Sequence, residues 1–185
     1  MKLFNSFALS FLISSCLSAE EDYCLASPRE RAQVFITEQF KLQNFNNPMH
    51  LAYILATAEH ETANFTSMKE IGGERKKYAP WYGRGYPQLT HKANYEKYTR
   101  FLGVDLMTNP DLMLREDVSA RVIVHGMMYG WFTGVNLTHF INPNRCDFVA
   151  ARITVNARDR AEKIAGVARR WAKWFGNREK PSPDF

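Results

Sequence analysis

The stretch Met49-His50-Leu51-Ala52-Tyr53-Ile54-Leu55-Ala56-Thr57-Ala58-Glu59-His60-Glu61-Thr62-Ala63-Asn64-Phe65 decides the fold class. Leu51, Ile54, Leu55 and Ala58 recur at helical spacing, so residues 49–65 are predicted as a helix with one apolar face. Glu61 stands three residues after Ala58 and seven after Ile54, which puts it on that face, while Glu59 points elsewhere. A carboxyl group at the end of a buried face is partly desolvated. Desolvation favours the protonated form, which is the form a general acid needs.

Upstream, Ser27-Pro28-Arg29-Glu30 is a helix start, with Ser at the cap, Pro at the first position and Glu at the third. Ala32, Phe35, Ile36, Gln39 and Phe40 carry that helix to a stop at Asn46-Asn47-Pro48. Downstream, the pattern breaks over residues 66–90, which hold Gly72, Gly73, Pro80, Gly83, Gly85 and Pro87. An irregular segment of this length inside a domain is uncommon and often functional. Helices are predicted again over 91–102, 117–131, 135–141, 147–155 and 159–175, the last with a stripe of Ile164, Val167, Ala168, Trp171 and Phe175. The chain therefore reads as mainly α with one long loop that carries chemistry.

The 185 residues suffice for one domain. Lys2 followed by an apolar, serine-containing run to Leu17 fits a secretory signal peptide over 1–19, cleaved after Ala19. Export to the periplasm or beyond follows, and the run is too short for a membrane span. Ile13-Ser14-Ser15-Cys16 also looks like a lipobox, which would place a lipid on Cys16. The domain is expected over 20–176, with a flexible tail over 177–185. Of the three cysteines, Cys24 and Cys146 remain after cleavage, and an oxidising compartment would allow them one disulfide. The net charge of +5 suits a polyanion, either nucleic acid or an anionic cell wall. Charge is the sole argument for nucleic acid, and no nucleic-acid binding is expected.

Glu70 follows Glu61 by nine residues and Glu74 follows it by four more, both in the loop. Glycoside hydrolysis uses two carboxyl groups across the scissile bond, so a helix-borne acid facing a loop-borne base is workable. The run from Trp81 to Thr90 adds Tyr82, Arg84, Gln88 and Thr90 among aromatics and glycines, a composition that suits sugar rings and N-acetyl groups. Zinc chemistry is not expected, because Asn64 occupies the place of the second histidine after His60-Glu61, and His50, His60, His91, His125 and His139 lack ligand spacing. Nor is any other cofactor.

Taken in order, His60-Glu61-Thr62, Glu70, residues 82–90, Asn94-Tyr95, residues 102–106, Asn109-Pro110-Asp111-Leu112, Gly130-Trp131-Phe132-Thr133-Gly134, Val155-Asn156 and Asp159-Arg160-Ala161 resemble glycoside hydrolase family 19. That family contains plant chitinases and lysozyme-like phage endolysins. The resemblance runs from about Leu51 to Ala168, and the short loops and Trp-Phe-Thr-Gly segment are closer to the endolysin branch. It implies a lysozyme-like, bilobal helical domain. It also implies Glu61 as general acid, Glu70 as the base that activates water, Thr90 as a holder of that water, and Gln88, Asn94 and Asn156 as substrate contacts. Ala157 stands where a glycine is usual and Ala93 where plant members carry Tyr, and the short loop leaves Glu74 a rival for the base. Family members invert the anomeric centre, which needs roughly 6.5–9.5 Å between the carboxyl groups. The expected activity is a monomeric muramidase acting on peptidoglycan. A chitinase and a non-catalytic glycan-binding protein are the alternatives, and no immunity or inhibitor partner is legible.

Overall fold

Ser27 opens the first helix as expected. In the computed structural model, which describes residues 26–178, α1 spans Pro28–Leu42. The Ser27 hydroxyl accepts from the Glu30 amide at 3.3 Å, and the Glu30 carboxylate accepts from the Ser27 amide at 2.7 Å, a reciprocal capping box. Ala32, Ile36 and Phe40, one turn apart, are its buried face.

Helix α2, Pro48–Glu61, starts where the Asn47 side chain accepts from the Met49 amide at 2.9 Å. Every residue from His50 to Glu59 is buried, because α2 is wrapped by other helices and has no solvent face. It packs on α1, on α4 (Glu116–Met128) and most extensively on α5 (Ala161–Arg178). The remaining helix, α3, spans Lys92–Leu102 and ends at Gly103 in the left-handed conformation that glycine tolerates. A two-residue hairpin, β1 (Ile141–Asn142) with β2 (Arg145–Cys146), pairs Ile141 with Cys146.

Two apolar clusters give the domain its two lobes. The larger gathers α1, α2, α5 and part of α4. The smaller holds Leu89, Tyr95, Tyr98, Leu106, Met113, Val118 and Val122. Helix α4 is the shared wall. Its Val118 and Val122, four apart, face the small cluster, while Ala120, Ile123, Val124 and Met127 face the large one. Each such aliphatic side chain contributes about 1.5–3 kcal/mol on burial.

Three predicted elements differ in the structure. Helix α2 stops at Glu61, four residues early. The Thr62 hydroxyl donates to the Ala58 carbonyl at 2.6 Å and accepts from the Phe65 amide at 3.1 Å, and Ala63, Asn64 and Phe65 all take positive φ. Buried Phe65, edge-on to Tyr86, anchors that reversal. The helices expected over 135–141 and 147–155 are single 3-10 turns, Leu137–His139 and Ala150–Thr154. There, Asn136 and Asp147 side chains accept from nearby backbone amides, the competition by which short polar residues cut helices down. Asn177 and Arg178, the first two residues of the tail expected to be flexible, are still helical. The expected signal peptide over 1–19, Cys16, Cys24 and residues 179–185 lie outside the described residues. Cys146 is exposed on β2. Among the described residues, no helix is long and apolar enough to cross a membrane.

Candidate active site

Glu61 is the last residue of α2, so the early stop of that helix delivers its carboxyl group to the edge of the large lobe. The side chain is 20% exposed, and its surroundings are not purely apolar. The Arg152 guanidinium donates to Glu61 Oε1 at 2.9 Å. Arg152 is 2% exposed and also donates to the Asp159 carbonyl at 3.1 Å. Such a buried cation is retained only with partners, and Glu61 is its charged one. The neighbouring carboxylate, Glu59, points away. It accepts from Trp171 Nε1 at 2.9 Å and pairs with Arg29 at 3.1 Å, tying α1, α2 and α5 together. His60 is pushed below its ordinary value by burial, although the Glu61 charge pulls it the other way.

Glu70 belongs to the irregular segment between α2 and α3, which is organised around buried Arg84. That guanidinium bonds Asp111 at 2.6 Å, the Pro80 carbonyl at 2.8 Å and the Tyr95 hydroxyl at 3.1 Å, and lies 3.7 Å over the Tyr82 ring. Arg84 also exchanges both backbone hydrogen bonds with Leu89. Gly83, next in line, grips Glu70 twice. The Glu70 amide donates to the Gly83 carbonyl at 2.8 Å, and the Gly83 amide donates to Glu70 Oε2 at 2.9 Å. A Cβ on Gly83 would meet Gln88 Oε1 at 2.7 Å, so a larger residue there would displace the Gln88 amide from its place in the cleft. The Tyr78 hydroxyl donates to Glu70 Oε1 at 2.8 Å, and this acceptor raises the tyrosine's own pKa.

Glu61 and Glu70 line one open cleft of about 590 Å3 between the lobes. Gln88, Thr90 and Asn94 form a linked row beside Glu70. Asn94 donates to the Thr90 carbonyl at 2.8 Å, the Thr90 hydroxyl donates to the Gln88 carbonyl at 2.8 Å, and Gln88 donates to Gly85 and Met68. Asn156 lines the cleft as well, its side-chain oxygen accepting from the Ala157 amide at 2.8 Å.

Tyr82 and Arg84 were expected at the sugar and are not there. They are 4% and 2% exposed, and they build the support beneath the loop. Glu74, the rival to Glu70, is exposed and outside the cleft lining. Its own amide and the Lys69 ammonium at 3.2 Å hold its carboxyl below the usual range. Sequence reasoning missed Tyr78, His91 and Phe132 in the cleft wall, and Arg152 behind Glu61. Arg152 did leave a signal, as the lone charge in the apolar run 148–155. Among the described residues, no group of three or more His, Cys, Asp or Glu is placed to hold a metal ion.

A helical, two-lobed domain with paired carboxyl groups facing an open polar cleft has the architecture of a glycoside hydrolase. The family model described as chitinase class I matches residues 42–168, and the chain belongs to glycoside hydrolase family 19. Chitinase 11 of Oryza sativa subsp. japonica is 54% identical over 41 residues, covering 22% of this chain and 16% of that protein. Chitinase 8 of the same plant is 39% identical over 83 residues, covering 44% and 29%. Acidic endochitinase Q of Nicotiana tabacum is 33% identical over 81 residues, with the same coverage of 44% and 29%. The chain thus spans less than a third of the length of each of these relatives.

Proposed function

We propose that this chain hydrolyses β-1,4 bonds between N-acetylated aminosugars, with Glu61 as the proton donor and Glu70 as the base. The observation that carries the reading is that the two carboxyl groups line one cleft with a row of amide and hydroxyl side chains. Arg152 occupies Glu61 Oε1, which leaves Oε2 to reach the leaving oxygen. The guanidinium then balances the carboxylate formed when the proton departs. Glu70 receives two donors, Tyr78 and the Gly83 amide, which suits a carboxylate, an acceptor only. The Thr90 proton is committed to the Gln88 carbonyl, so its oxygen is left to accept from a water that Glu70 deprotonates. Attack by that water on the face opposite the leaving group inverts the anomeric centre.

Chitin-type N-acetylglucosamine polymers are the favoured substrate, since the relatives above are chitinases by name. Peptidoglycan is the second reading. It is favoured by the net charge of +5, which suits an anionic wall, and by an expected export signal over 1–19. Digesting chitin oligomers and purified peptidoglycan side by side, with the wild-type chain and its Glu61→Gln variant, tests both. Cleavage of chitin oligomers alone, lost in the variant, is the expected result. Release of fragments from peptidoglycan alone would reverse the order. Inertness on both would leave a glycan-binding protein.

A further inference from the structure

Beside the cleft lies a second hollow, of about 700 Å3, that the proposed reaction does not use. Its lining is dominated by cations: Arg145, Arg158, Arg160 and Lys163, against Asp147 and Glu162. Asp147 is already neutralised by Arg145 at 2.6 Å. Arg160 has only a loose contact with Asp159, at 3.7 Å, and among the described residues Arg158 and Lys163 form no ion pair. All three are exposed at the start of α5. Arg160 also holds a positive φ of 55°, a conformation that costs a non-glycine residue free energy and persists only where the surroundings impose it.

The hollow is tied to the cleft in three ways. Asn156 lines the cleft and Arg158 lines the hollow, and two residues of chain span at most about 7 Å. Arg152 holds Glu61 with one nitrogen and the Asp159 carbonyl with another, fixing the basic loop against the candidate acid. His60, next to Glu61, feels the positive charges of Lys163 and Arg160. A neutral chitin strand offers these cations hydrogen-bond acceptors but no opposite charge.

We infer that the hollow formed by Arg158, Arg160 and Lys163 is a subsite for a carboxylate carried by the glycan strand, next to the bond-cleaving cleft. It rests on the second reading above, in which the cleft takes peptidoglycan, because only that polymer carries such carboxylates. The carboxylate has two sources, a lactyl ether on the sugar or a short peptide attached through it. Both present a planar anion to a guanidinium, for which the arginine fork is suited.

The test measures binding to full-length Glu61→Gln protein, which holds substrate without turning it over, with and without the triple change Arg158→Gln, Arg160→Gln, Lys163→Gln. Three probes are titrated: a neutral N-acetylglucosamine hexamer, a strand bearing free lactyl groups, and a strand bearing peptides. The triple change is expected to weaken at least one anionic strand roughly ten-fold while sparing the hexamer, and added salt should mimic it. Loss on the lactyl strand assigns the subsite to the sugar's own carboxylate, and loss on the peptide strand alone assigns it to the peptide. Equal loss on all three probes, or no loss on either anionic strand, overturns the subsite. If the parent protein binds none of the three, the glycan reading itself falls and the subsite falls with it.

Discussion

The two walls of the cleft are built by different means. Glu61 rides the end of a helix buried on all sides, and its position follows from helical period and apolar packing. Glu70 sits in a segment with almost no regular structure, held by a buried cation, a glycine backbone and a tyrosine hydroxyl. The lesson is that one wall derives its rigidity from area removed from water, and the other from satisfied polar groups. The second kind is more exposed to single substitutions, because one missing partner strands the rest.

The sharpest way to break this comparison is to change the loop carboxylates singly. Glu70→Gln should lower kcat on N-acetylglucosamine oligomers by about 10²–10⁴-fold. Glu74→Gln, which alters only an exposed pair with Lys69, should stay within a few-fold. Equal losses would return Glu74 to contention.

Next in size are the two buried arginines. Arg152→Ala and Arg84→Ala should each cost about 3 kcal/mol in urea unfolding, because each strands groups that the guanidinium had satisfied. The walls should then differ in proteolysis. Arg84→Ala should open the segment between α2 and α3 to cleavage, whereas Arg152→Ala should leave it protected. If Arg84→Ala stays as resistant as wild type, the polar support described here is not what holds that wall.

These expectations mark where the sequence was legible. The helix from residue 49 could be read because a 3.6-residue period reports which side chains meet a core, but its end and its single apolar face could not, since α2 stops at Glu61 and every residue from His50 to Glu59 is buried. Glu70, Gln88, Thr90, Asn94 and Asn156 were legible through family resemblance, and all of them line the cleft. Tyr82 and Arg84 were misplaced because an aromatic beside an arginine has the same composition whether it stacks on sugar or closes a buried polar cluster. Only the fold reveals that Asp111 and Tyr95 wait for that guanidinium. Arg152 meets Glu61 across 91 positions, a separation at which no local pattern operates. The overcalled helices at 135–141 and 147–155 carry apolar residues at helical spacing, but Asn136 and Asp147 spend their side chains on the nearest amides.

The small lobe beneath the loop should also show its own pH dependence. His125 is packed against Phe101 at 3.7 Å between ring centres, and burial, with Arg121 and Lys97 adding to it, lowers its pKa to about 4. The folded state therefore favours the neutral ring. Its stability is fully present above the unfolded value near 6.5 and declines as pH falls from there towards 4, by on the order of 3 kcal/mol. His125→Phe should flatten that part of the profile in urea unfolding between pH 7 and 4. An unchanged slope would place the acid sensitivity elsewhere.

The smallest expected effect is on Tyr78. Tyr78→Phe removes one of the two hydrogen-bond donors to Glu70, so kcat should fall several-fold with KM unchanged. A rise in KM with kcat unchanged would mean that the hydroxyl contacts sugar and does not position the base.

If Glu61 and Glu70 act from opposite sides of one glycosidic bond, the first product carries an inverted anomeric centre. Proton NMR of the first product released from an N-acetylglucosamine hexamer tests it most directly, with the Glu61→Gln and Glu70→Gln variants run alongside. The α-anomer should appear first, and both variants should release almost none. The β-anomer appearing first, or undiminished release by Glu61→Gln, would contradict it.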